Sequence, residues 1–73
     1  MVAKRVRAGA VYTFHAVLID RMLSQHHSAT DGQRVRVVNL PGAPRANTMN
    51  HCHIEDADTR AFLGMVHIGS LRR

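Results

Sequence analysis

Two segments of alternating residues, His51-Cys52-His53-Ile54 and Phe62-Leu63-Gly64-Met65-Val66-His67-Ile68, constrain this chain more than anything else in it. Successive side chains of a strand point to opposite faces, so Cys52 and Ile54 fall on one side and His51 and His53 on the other. The returning segment divides the same way, with Phe62, Val66 and Ile68 against Leu63, Met65 and His67. The pattern predicts an antiparallel hairpin with one apolar face and one face carrying three histidines. Pairing apolar with apolar sets Ile54 opposite Phe62 and Cys52 opposite Gly64, and Glu55 and Ala61 then close a loop over 56–60. Gly64 is a place for the strand to bend or bulge.

The rest of the chain supplies further short strands. Arg34-Val35-Arg36-Val37-Val38-Asn39 alternates, with Val35 and Val37 inward and both arginines outward. In Leu40-Pro41-Gly42-Ala43 the proline fixes φ and the glycine admits positive φ, as a type II turn requires. Asp31-Gly32 is a second turn signal. Residues 11–23 fit a strand or a helix by periodicity alone. The β-branched and aromatic content of 11–19 favours a strand, followed by a short helical turn near 20–25. Ser70-Leu71 reads as a last short strand. Residues 1–10 read as a flexible basic arm and 11–71 as one small mainly β domain, an antiparallel barrel or roll.

Gly32-Gln33-Arg34-Val35-Arg36-Val37-Val38-Asn39 resembles the G-x-x-V-x-V opening of SH3-like barrels of the KOW type, which implies an SH3-like form of that barrel. The likeness covers this opening and not the family's later glycine-rich turn. Residues 32–71 also resemble small uncharacterised bacterial proteins with a V-V-N-L-P-G … N-T-M-x-H-C … F-L-G-M-V pattern, which implies a fold and no activity. Gly32-Gln33-Arg34-Val35-Arg36 and Val66-His67-Ile68-Gly69 are faintly similar to the type II dihydrofolate reductases, tetrameric SH3-like barrels that bind folate and NADPH in a central pore. The chain departs from them where the chemistry lies. His67 stands at the pore glutamine, Gly69 at the pore tyrosine, and the lysine after the first strand is missing.

A chain of 73 residues buries only about 60% of its unfolded surface, so its core needs help from a cross-link, a metal or self-association. The single cysteine, Cys52, leaves no intramolecular disulfide, and within a strand it behaves as a small hydrophobe. Self-association is therefore expected, with Leu63, Met65, His51, His53 and His67 as the contact face. Ten Lys and Arg against five Asp and Glu give a net charge of +5. All the basic residues but Lys4 are arginine. Such a balance favours an anionic partner, nucleic acid or an acidic protein. Lys4, Arg5 and Arg7 in the arm, Arg34 and Arg36 on a strand face, and Arg45 in a loop are its expected contacts, and Arg72 and Arg73 read as a basic tail. No apolar run approaches the ~20 residues of a membrane-spanning helix, and no signal-peptide cleavage site follows the basic N-terminus. A cytoplasmic protein that does not enter a membrane is expected.

Three histidines on one strand face also make a candidate transition-metal site. His51 and His53 form an H-x-H pair suited to zinc, copper or nickel, with His67 a diagonal neighbour. A fourth ligand is not evident, and no cofactor is otherwise expected. Catalysis has little to stand on: Cys52 and its flanking histidines face opposite ways, and Glu55, Asp56 and Asp58 read as solvated turn carboxylates. Aromatic platforms for stacking bases are missing too, since only Tyr12 reads as exposed. The sequence points to a binding or interaction module rather than an enzyme.

Overall fold

The computed structural model describes residues 6–38 and 51–73. Five antiparallel strands form one open sheet: β1 (Val11–Phe14), β2 (Arg34–Val38), β3 (His51–Asp56), β4 (Phe62–His67) and β5 (Leu71–Arg72), in the spatial order β4-β3-β2-β1-β5. The chain is mainly β. Its helical parts are one short helix, α1 (Leu18–Met22), and single 3-10 turns at Ser24–His26 and Ile68–Ser70. No helix among the described residues is long and apolar enough to cross a membrane. The type II turn expected at 40–43 lies outside the described residues.

The core is one face of this sheet. Cross-strand pairs place Tyr12 opposite Val35, Phe14 opposite Leu71, Val37 opposite Ile54 and Cys52 opposite Val66. All eight are buried, together with Leu63 and Ile68. The alternation of Val35 and Val37 with Arg34 and Arg36 is therefore the one expected. Tyr12 is not the exposed aromatic read from the sequence; it is buried, and its hydroxyl accepts the Arg7 N–H at 3.1 Å.

The strand predicted over 11–19 stops at Phe14, and the helical turn begins earlier than expected, at Leu18. After Phe14 the backbone continues against the last segment, where the His15 N–H donates to the Ser70 carbonyl. The chain then leaves the sheet and crosses to the far edge. The described part of the N-terminal arm is likewise held, since Gly9 N–H donates to Val37 O at 2.7 Å and Val6 packs on the core.

The β3–β4 hairpin pairs with a different register from the predicted one. Ile54 lies opposite Gly64 and His51 opposite His67, and the register shifts between Ile54 and Glu55. Glu55 pairs with Phe62, so Leu63 is the extra residue of a bulge, and Leu63 and Gly64 together face Ile54. This corrects two placements. Leu63, expected outside, is buried, and Phe62, expected in the core, is 54% exposed. The physical reason is a third segment. A Cβ on Gly64 would meet the His26 carbonyl oxygen at 2.3 Å and His27 Cα at 2.9 Å. Only a residue with no side chain, at φ +103°, lets the β1–β2 connection approach that closely. The bulge then lets Leu63 fill the core beside it.

Candidate functional site

The outer face of the sheet carries most of the residues singled out in the sequence. Along β2 it presents Arg34, Arg36 and Val38; along β3, His51, His53 and Glu55; along β4, Phe62, Met65 and His67. Register places them in rows. Arg34 and Arg72 both stand opposite Thr13, one on each side. Val11, Arg36, Glu55 and Phe62 form the next row, then Val38, His53 and Met65, then His51 and His67.

The arginines of this face are not equivalent. Arg36 Nη1 donates to Glu55 Oε2 at 3.2 Å and to the Ala57 carbonyl at 3.4 Å, in a partly buried ion pair. Its charge is locally neutralised. Arg34 and Arg72 are exposed and have no ion pair among the described residues. They are separated by two strand spacings, roughly 10 Å. Arg7 is exposed at the start of the described chain, while Lys4, Arg5 and Arg45 lie outside the described residues. Arg72, read from the sequence as a tail residue, belongs to β5 and to this face.

The three histidines divide into two groups. The His51 and His67 rings meet edge-on, with centroids 5.2 Å apart. His53 lies near-parallel to Phe62, at 5.9 Å and 29°. His67 Nδ1 accepts the Gly69 N–H at 2.9 Å. That bond puts the ring proton on Nε2, so neither nitrogen offers a free lone pair while it lasts. Among the described residues, no three His, Cys, Asp or Glu side chains are placed to hold a metal ion. In place of the candidate site of His51, His53 and His67 stand one His–His pair and one His–Phe pair. Cys52 takes no part, because burial first and the Asp20 charge second push its thiol up to about 11, leaving it protonated at neutral pH.

A second polar cluster lies beneath the sheet edge. Asp20, only 3% exposed, directs both carboxylate oxygens at the His67 N–H, each at 3.0 Å. The buried Ser70 hydroxyl donates to Asp20 Oδ2, and Ser70 Oγ accepts the Val17 N–H at 3.0 Å. His27 Nε2 bonds the Asp20 carbonyl at 3.1 Å, its Nδ1 accepts the Ala29 N–H at 3.1 Å, and its ring lies 5.2 Å from that of Phe14. Each polar group here satisfies another within the fold. The cluster anchors α1 to β4 and caps an edge N–H; it is not open to a substrate. Sequence reasoning missed it because Asp20 read as the end of an apolar run.

Burying Asp20 turns α1 inside out. Leu18 and Met22, one turn apart, are 72% and 71% exposed, and Ile19 beside them is 39% exposed. Comparison with protein-family models, curated proteins and solved structures gives no match for this chain.

Proposed function

We propose that this chain is a small SH3-like binding module whose outer sheet face takes an anionic partner, nucleic acid foremost. The observation that carries the reading is the pair Arg34 and Arg72. Two exposed arginines without ion-pair partners among the described residues flank Thr13 on a face whose other strand arginine is already neutralised. Phosphate contacts of this kind release counterions, so affinity falls steeply with salt. The net charge of +5 adds long-range attraction at low ionic strength. Titrating a labelled oligonucleotide of mixed sequence at several salt concentrations tests this. Arg34→Gln with Arg72→Gln is expected to lower the slope of log K against log salt by about two. Absence of binding at about 50 mM salt overturns the reading.

Self-association is a second reading, and it now rests on α1 rather than on Leu63. Exposed Leu18, Ile19 and Met22 make an apolar patch on a chain too short to bury a large core. Light-scattering mass should show a salt-insensitive dimer or larger assembly that Met22→Lys reduces to a monomer. A wild-type monomer at high concentration sinks it.

A further inference from the structure

The bulge that sends Leu63 inward leaves an aromatic ring on a basic sheet face, and sequence reasoning had found no such platform. We infer that the nucleic acid this face accepts is single-stranded, with an unpaired base stacked on Phe62. The inference rests on the reading above and names the form of its ligand.

Phe62 is 54% exposed and occupies the edge strand of the face. Its ring is backed by His53, which holds it near-parallel at 5.9 Å. Beside it lies the Arg36–Glu55 ion pair. Arg34 is two strands away, roughly 10 Å, and two residues along, within the combined reach of an arginine side chain and a nucleotide. A base in a duplex already has both π-faces covered, so a ring on a sheet face can stack only on a base out of the helix. Every base has such a face, which makes the contact tolerant of sequence, and Arg34 supplies a phosphate contact within reach of the stacked nucleotide. The carboxylates near the ring are Glu55, neutralised by Arg36, and Asp56 and Asp58 of the adjoining turn. Asp56 is engaged by Gln33 Nε2 at 2.8 Å and by the Asp58 and Thr59 N–H groups.

The test compares fluorescence anisotropy of a labelled deoxythymidine oligomer of about 12 nucleotides with that of its duplex, using wild type, Phe62→Leu and Phe62→Trp. Wild type should bind the single strand more tightly than the duplex. Phe62→Leu should weaken single-strand binding about tenfold or more and leave duplex binding unchanged. Phe62→Trp should retain binding, and since the chain has no tryptophan its emission reports the ring alone, quenched as the base stacks. Circular dichroism establishes that each variant is folded. Equal binding of both forms, with Phe62→Leu harmless, overturns this inference and leaves the anionic-partner reading standing. Failure of both forms to bind overturns both readings.

Discussion

The β3 strand and the β1–β2 connection both hold on to β4, from opposite sides and by different means. β3 meets it with a regular ladder whose inner side is apolar, Cys52 against Val66 and Ile54 against Leu63 and Gly64. The connection meets it with isolated polar bonds: Asp20 to the His67 N–H, the Ser28 N–H to the Leu63 carbonyl, and a single bridge between His27 and Gly64. The difference teaches how a small sheet can protect an edge without adding a strand. Edge groups left open invite pairing with another chain, and here a carboxylate and a short stretch of backbone cover them. The ladder spreads its stabilisation over many contacts. The connection concentrates it in a few.

The largest effect should come from breaking the apolar side. Ile54 is fully buried between Val37 and the bulge. Ile54→Asp places an unpaired carboxylate there and should unfold the domain, with loss of the far-ultraviolet β signal at room temperature. A folded Ile54→Asp variant would mean that the ladder does not dominate. Next comes the polar side. Asp20→Ala adds no bulk and strips the His67 N–H and the Ser70 hydroxyl of their acceptor, and should cost about 3 kcal/mol in urea denaturation. Asp20→Asn retains one acceptor oxygen and should cost visibly less. Equal costs for the two variants would show that packing of α1, rather than the hydrogen bond, secures the edge.

The same contrast explains what could be read in the sequence. Alternation at Val35, Val37, Cys52 and Ile54 reports a strand directly, because each residue's face depends only on its own position. Phe62 and Leu63 exchanged places because a bulge changes parity, and the cause lies in His26 and His27, some forty residues earlier. Gly64 did signal a bend; its partner was not visible. Asp20 was illegible for the same reason: an acid ending an apolar run resembles a surface residue until β4 is placed above it. On the candidate face, Arg34 and Arg36 were found by alternation alone. The ion pair that neutralises Arg36, and the addition of Arg72 and Phe62, depend on cross-strand register, which the pattern sets two residues off for β4 at Ile54 and one off at Glu55.

Gly64 joins the two sides, so its substitution sharpens the comparison. Gly64→Ala meets the His26 carbonyl and asks a non-glycine residue to hold φ +103°. The connection must lift away from β4, at a cost of about 2 kcal/mol. Amide exchange should distinguish the sides: the Ser28 N–H, donated to Leu63, should lose protection before the amides of the β3–β4 ladder. Simultaneous loss would make the edge and the ladder one cooperative unit.

The smallest effect belongs to the turn that joins β3 to β4. The Gln33 side-chain bond above all, then the Thr59 and Asp58 N–H groups, hold the Asp56 carboxyl down to about 2 from its usual 3.8. A carboxyl depressed on folding contributes stability that is fully present above its unfolded value and disappears as pH falls toward the folded one. That window runs from about 4 to about 2. Asp56→Asn retains an oxygen for the two backbone donors while removing the titrating charge, so the turn should persist and the variant should be slightly less stable at neutral pH. Its urea midpoint should then fall less than that of wild type on acidification through the window. Asp31, also held below its usual value, chiefly by the Ala16 N–H bonded to it, is present in both proteins and cancels in the difference. Parallel acid limbs would show that Gln33 and the turn amides orient Asp56 without favouring its charged form, and that the β3–β4 hairpin owes its closure to the ladder alone.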